Sequence, residues 1–260
     1  MKVVSVQLNM RWQDKPANLA SAERLISSAG VEPGSLVVLP EMFATGFSMQ
    51  TAVTAQGEQR ESEELMKRLA AQHDCCVLGG VVNRRADGLG SNEAVAFAPD
   101  GEELVRYRKQ QPFSLSGEDA KYPAGNEHKL FQWQGIRIAP FLCYDLRFPE
   151  VFRPAALAGA EMFVVMACWP AVRSEHWVRL LQARAIENLA AVVGVNRCGE
   201  EPNLQFDGRS TAFDHMGVAQ HEADASEQSI VSTFDIEALR QWRGTFPALR
   251  DAKLKLETSS

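Results

Sequence analysis

Three polar side chains of unlike chemistry each follow a short apolar run. Glu41 comes after L-V-V-L-P, Lys109 after L-V-R-Y-R and Cys143 after I-A-P-F-L. In open α/β sheets, sites collect beyond the carboxyl ends of strands. A thiol, a carboxylate and an ammonium meeting there suit acyl transfer. The thiol needs a base, the oxyanion that forms needs a positive donor, and the departing amine needs a proton. Taken singly, each residue has an ordinary explanation. A cysteine after an apolar strand usually fills core space, and a Glu or Lys at a strand end is usually a solvated charge. The chemical reading requires all three together.

The elements that must carry them follow from hydrophobic periodicity. Residues 2–8 read as a buried strand, with Val3, Val4 and Val6 prominent. Leu19, Ala22, Leu25 and Ile26 recur at helical spacing, with Gly30 as a stop. A strand over 35–39 delivers the chain to Glu41, and a helix over 62–71 follows. Residues 75–82 form a strand weakened by Gly79 and Gly80. P-D-G between 92–98 and 103–107 signals a hairpin. Residues 110–127 read as loop. The strand over 136–142 stops at Cys143, and a helix over 149–158 and a strand over 161–167 come next. Ser174 caps a helix running to about 187, with Trp177, Leu180 and Leu181 inward. Residues 190–195, 210–213 and 229–234 are further strands. This mixture places helices outside sheets.

Bulk properties narrow the function classes. The chain has 260 residues, 45% hydrophobic and 23% charged, which suits one large packed domain over 1–260 with a loose tail from about 252. The net charge of −6 and the lack of a basic run disfavour nucleic acid, while leaving room for a local basic pocket. Five cysteines with no C-x-x-C support neither a disulfide framework nor a zinc ribbon. The N-terminus reads as a strand and not as a signal peptide, and no apolar stretch is long enough to span a bilayer. A cytoplasmic location is expected. The histidines, His176 among them, show no metal-ligand spacing.

The local contexts sharpen the reading. P-E-M-F-A-T-G-F-S from Pro40, Y-R-K ending at Lys109 and C-Y-D-L-R-F-P-E from Cys143 resemble the glutamate, lysine and nucleophile motifs of the nitrilase (carbon–nitrogen hydrolase) superfamily. R-A-I-E-N (184–188), V-N-R-C-G (195–199) and D-G-R-S (207–210) resemble further landmarks. The likeness runs over about 2–250. It implies an α/β fold, a four-layer αββα sandwich, with Glu41, Lys109 and Cys143 as a triad, no metal and no organic cofactor. It also implies a second glutamate after the lysine. Glu118 in S-L-S-G-E-D matches it better than Asp119, and the suggested role is to position Lys109 and the substrate amide. The ordinary alternative is that Glu118 hydrates an exposed loop. Relatives often carry Asn where this chain has Cys168, and the other cysteines read as core.

On this reading Glu41 takes the thiol proton, Cys143 attacks the amide carbon, and Lys109 with the Tyr144 N–H holds the oxyanion. E-M-F-A-T-G-F-S, C-Y-D-L-R-F-P, W-P-A-V-R-S-E-H-W and R-A-I-E-N are similar to the omega-amidase branch. That similarity implies a small carboxylate-bearing amide, 2-oxoglutaramate or 2-oxosuccinamate, as substrate. Arg147 is the expected carboxylate clamp, with Arg173 as a second candidate. Its competing assignment is a salt bridge to Asp145, Glu150 or Glu187. Tyr144 and Trp169 are expected to line the pocket. After the lysine this chain has K-Q-Q-P-F where some relatives show K-x-H-L-F, so the loop at the mouth departs from theirs. Other readings are an N-carbamoyl amide hydrolase, a nitrile hydrolase, or a noncatalytic scaffold that retains the fold. The family habit of sandwich-to-sandwich association implies a homodimer or higher homo-oligomer, with F-P-A-L-R-D (246–251) resembling a tail that reaches a partner.

Overall fold

A computed structural model describes residues 1–253. The proposed loose tail falls almost wholly on 254–260, outside the described residues. The strands in chain order are β1 (Lys2–Gln7), β2 (Leu36–Val38), β3 (Cys76–Arg84), β4 (Gly90–Phe97), β5 (Glu103–Arg108), β6 (Phe131–Trp133), β7 (Ile136–Leu142), β8 (Met162–Ala167), β9 (Ala191–Asn196), β10 (Cys198–Glu201), β11 (Leu204–Asp207), β12 (Thr211–Phe213), β13 (Ala219–Glu222) and β14 (Gln228–Thr233). The α-helices are α1 (Lys15–Ser28), α2 (Thr51–Thr54), α3 (Glu61–His73), α4 (Pro149–Leu157), α5 (Ser174–Asn188) and α6 (Ile236–Thr245).

Among the described residues β10 and β11 pair as a separate two-stranded sheet, and two six-stranded sheets form, ordered β14-β1-β2-β3-β4-β5 and β13-β12-β9-β8-β7-β6. Each has three neighbouring parallel strands, β1-β2-β3 and β7-β8-β9, flanked by antiparallel ones. The sheets face each other, α1 and α3 cover the outside of the first, and α4 and α5 cover the second. This is the expected αββα sandwich.

The apolar runs explain the layering. Successive side chains on a strand point to opposite faces. In the first sheet Val3, Leu36, Val38, Cys76 and Leu78 pack between the sheets. Their neighbours Val4, Val6, Val37, Leu39 and Val77 pack under α1 and α3. Strands buried on both faces therefore read as continuous apolar stretches. Phe141 of β7 bridges the layers, touching Tyr107 of β5 and stacking on Phe152 of α4.

Two local expectations need correction. Ser174 does not cap α5: Arg173 occupies the cap position without a side-chain bond, and the Ser174 hydroxyl instead bonds the Asp207 carboxylate. The two glycines do not weaken β3, which continues to Arg84. The chain after β2 crosses directly over Gly80, and a Cβ there would lie 2.5 Å from the Glu41 Cα. Backbone bonds Gly80 N to Pro40 O (3.1 Å) and Phe43 N to Gly80 O (3.2 Å) fix that crossing. Gly80 is what lets Glu41 seat over the sheet.

Candidate active site

β4 runs antiparallel to both β3 and β5, so β2, β3 and β5 end at the same edge of their sheet. Glu41 follows β2 and Lys109 follows β5 there. Cys143 follows β7 of the facing sheet, at the start of a short 3-10 turn, Cys143–Arg147. Cys143 has φ of 43°, a left-handed conformation that an L-residue adopts only when its surroundings enforce it.

Lys109 is the hub. Its Nζ donates to Glu41 Oε1 at 2.8 Å and to Glu118 Oε1 and Oε2 at 3.0 and 2.9 Å. It also lies 5.1 Å from the centre of the Phe47 ring. Glu41 and Glu118 are 0% exposed and Lys109 is 2% exposed. Glu118 therefore does not hydrate a loop, whereas Asp119 is exposed. Phe113 N donates to Glu118 Oε2 at 2.6 Å, which holds the loop around it. The second oxygen of Glu41 accepts the Cys168 N–H at 3.1 Å, and the Cys168 thiol donates to the Glu41 carbonyl at 3.3 Å. The carboxylate contact from position 168 thus comes from backbone, which any side chain there would leave in place.

Electrostatics follow from this geometry. Burial works against the Lys109 charge, but Glu118 and Glu41 outweigh it and hold its pKa well above the usual lysine value. Burial pushes the Cys143 thiol well above its ordinary pKa, Glu41 and Glu118 push it further, and Lys109 only partly offsets them. The thiol form of the resting sulfur is therefore favoured.

The half-buried Cys143 opens into a cleft walled by Phe47, Phe113, Tyr144, Trp169, Leu204 and Phe206. Tyr144 and Trp169 are among these lining residues. Arg147 and Arg173 also line the cleft. Arg147 stacks over Trp169 at 4.9 Å and meets His176 Nδ1 at 3.0 Å, while Arg173 stacks over Phe113 at 5.4 Å. Among the described residues neither pairs with a carboxylate. Asp145 is engaged by Tyr107 and two backbone amides, and Glu187 by Arg184. Burial and the charge of Arg173 hold the Arg147 pKa below its usual value. Two neighbouring cations facing one cleft make a place for an anion.

A roomier groove lies elsewhere, around Lys15, Gln56, Glu58 and Arg84, but no cysteine lines it. No group of three or more His, Cys, Asp or Glu among the described residues is placed to hold a metal.

Sequence reasoning passed over several contributors. Asn92 Nδ2 donates to Glu41 Oε1 at 2.8 Å and Glu118 Oε1 at 3.0 Å, bridging the two carboxylates. Asp145, 0% exposed, joins Tyr107 to the Cys143 turn, and burial pushes its carboxyl up to about 6. The β10–β11 hairpin brings Leu204 and Phe206 to the cleft. The available signal was a polar residue within two positions of the nucleophile at Asp145; Asn92, inside the polar S-N-E start of β4, carried none.

A sequence model of the carbon-nitrogen hydrolase family matches residues 2–244. The omega-amidase YafV of Yersinia enterocolitica is 36% identical over 253 residues, covering 96% of each chain. The 2-oxoglutaramate amidase of Bacillus subtilis is 29% identical over 252 residues, covering 96% of this chain and 97% of its own. The crystal structure of XC1258 from Xanthomonas campestris, a CN-hydrolase superfamily protein with an arsenic adduct in its active site, is 31% identical. It superposes with a TM-score of 0.91, covering 99% of both chains.

Proposed function

The chain belongs to the carbon–nitrogen hydrolase family, and on that premise we propose that it is an omega-amidase, hydrolysing the terminal amide of 2-oxoglutaramate or 2-oxosuccinamate. The observation that carries this reading is one cleft lined by Cys143 and by two guanidiniums that lack acidic partners among the described residues, with the buried Lys109–Glu41–Glu118 cluster behind the thiol and acting on its charge. The relatives named omega-amidase and 2-oxoglutaramate amidase support it.

In this mechanism the substrate carboxylate rests against Arg147 and Arg173, and the amide reaches Cys143. Because the resting sulfur favours its thiol form, Glu41 removes its proton as the sulfur attacks the carbonyl carbon. The oxyanion is held by the Lys109 ammonium and the Tyr144 N–H. The C–N bond breaks, Glu41 returns the proton to the departing ammonia, and a thioester remains. Glu41 then deprotonates water, which attacks the thioester, releasing the 2-oxo dicarboxylate and restoring the thiol. Glu118 keeps Lys109 aimed at the reacting carbonyl.

The test is ammonia release from 2-oxoglutaramate, 2-oxosuccinamate, glutamine, asparagine and an N-carbamoyl amino acid, with carbon dioxide measured alongside. The first two are expected to react fastest. Turnover of the carbamoyl compound alone would reject the proposal, and stoichiometric labelling of Cys143 without turnover of any amide would favour a scaffold. We also propose one domain, a cytoplasmic location and a homodimer. Five free cysteines are in keeping with a reducing compartment. The exposed Phe246, stacked on Trp242, offers apolar surface to a partner. A monomer in solution scattering would overturn the dimer.

A further inference from the structure

Asp145 sits between the two halves of the cluster without touching either reacting group. Its Oδ2 accepts the Tyr107 hydroxyl at 2.7 Å and the Leu142 N–H at 2.9 Å, and its Oδ1 accepts the Gln111 N–H at 2.8 Å. Tyr107 and Gln111 lie two residues either side of Lys109, and Leu142 immediately precedes Cys143. One carboxylate, 0% exposed, therefore spans the gap between sheets at the point where lysine and sulfur must meet. The Leu142 bond also closes the turn that holds Cys143 at its unusual φ of 43°.

We propose that Asp145 is a positioning residue that ties the Lys109 segment to the nucleophile turn and so fixes the ammonium against the reacting sulfur and carbonyl. The proposal rests on the reading of Lys109 and Cys143 as reacting groups. A carboxylate is required because both backbone contacts are N–H donors. In Asp145→Asn the amide presents an NH₂ to either Gln111 N–H or Leu142 N–H. Whichever way it turns, one tether is cut while the side-chain volume is kept. Tyr107→Phe removes the third contact, the hydroxyl bond from the Lys109 segment to Asp145, and leaves both backbone tethers in place.

The charged and titratable groups acting on the Cys143 sulfur are Glu41, Lys109, Glu118, Arg147 and the Cys168 thiol, with the Cys168 amide. Removing a nearby negative charge would ease thiol ionisation. Slackening Lys109 would hinder it. The two explanations therefore move the titration in opposite directions.

The experiment measures kcat and KM for 2-oxoglutaramate and the pH dependence of Cys143 alkylation by iodoacetamide, read by mass spectrometry. The variants are Asp145→Asn, Tyr107→Phe and Lys109→Ala. For Asp145→Asn, kcat is expected to fall by about tenfold or more with KM within about threefold, and alkylation to shift to higher pH as in Lys109→Ala. Tyr107→Phe should move both readouts in the same direction by less than Asp145→Asn does. An unchanged kcat, or an alkylation profile that stays put or moves to lower pH, overturns the proposal. If Asp145→Asn does not fold, Gln111→Pro decides, because it deletes one donor and leaves Asp145 intact. It must reproduce the kcat loss and the upward shift. Absence of turnover in the wild type counts against the omega-amidase reading, while the alkylation profiles still test the tether.

Discussion

Lys109 between two carboxylates sets the chemistry at the scale of single residues. The Glu118 charge opposes ionisation of the Cys143 thiol and the Lys109 charge favours it. Glu118→Gln should therefore shift alkylation of Cys143 to lower pH, and Lys109→Ala should shift it to higher pH. Both should lose turnover, Lys109→Ala by roughly 10²–10³-fold as for loss of an oxyanion donor. A faster-alkylating Glu118→Gln enzyme with undiminished kcat would contradict the aiming role of Glu118. At the mouth, Arg147→Ala removes a charged contact to the substrate carboxylate, of order 1.5–3 kcal/mol. KM for 2-oxoglutaramate should rise by about 10- to 100-fold, and the penalty should vanish on a substrate whose carboxylate is esterified. An equal loss on both would mean Arg147 supports the wall through Trp169 and does not bind the anion. Glu41, Lys109, Glu118 and Cys143 were legible because each sits in a short motif with its own local neighbours. Asn92 and Asp145 were not. Their meaning lies in partners 51 and 38 residues away, such as Glu41 and Tyr107, which no local window contains.

Elements place these residues by close backbone approach and by ion pairs between layers. Gly80→Ala inserts a methyl group where the Glu41 Cα and Met42 N lie within 2.8 Å. Backbone on both sides leaves no flexible side chain to yield. The variant should lose about 1–3 kcal/mol, as for overpacking, and its kcat should drop because Glu41 is displaced. Urea unfolding and ammonia release check the two effects. On the outer face, the Glu63 carboxylate of α3 bonds Arg60 and also Arg106 of β5. Burial raises its pKa, but the two guanidiniums prevail and bring it down to about 2. A depressed carboxylate stabilises the fold above its unfolded value and loses that contribution as pH falls through its folded value. Stability should therefore decline between about pH 4.5 and 2 in the wild type, by at most about 3 kcal/mol from this group, and Glu63→Gln should flatten that decline in acid-dependent urea melts. Strands with both faces buried announced themselves as apolar runs. The β10–β11 hairpin did not, because C-G-E-E and L-Q-F-D are largely polar and, of the two apolar residues of β11, Phe206 is buried while Leu204 is 41% exposed. Helix α6 was missed although Ile236, Leu239 and Trp242 recur at helical spacing.

The whole molecule closes on itself through its last strand. β1 lies between β14 and β2, paired with β14 residue for residue from Lys2 with Thr233 to Gln7 with Gln228. Met1 adds two bonds, its ammonium to the Phe234 carbonyl and its carbonyl to the Phe234 N–H. Such pairing is invisible to periodicity, which yields strands and helices but not their order. The layered arrangement came from the family resemblance, and the two sheets with their flanking helices bear it out. Because one inter-sheet core includes Val3, Tyr107, Phe141 and Val193, each sheet would expose a whole apolar face once the other leaves. Unfolding should thus be a single transition, with tryptophan fluorescence and far-ultraviolet circular dichroism superimposing across a urea titration. A chain ended after Glu227 would strip β14 from β1 and remove α6, whose Arg240 holds Glu161 and whose Arg243 donates to Ala160 and Leu189 carbonyls. It should fail to reach a cooperative fold, although every proposed catalytic residue remains in it. Two separated transitions in the full chain, or a truncated chain that still hydrolyses its amide, would show that the sheets are independent units and that the site needs only its local supports.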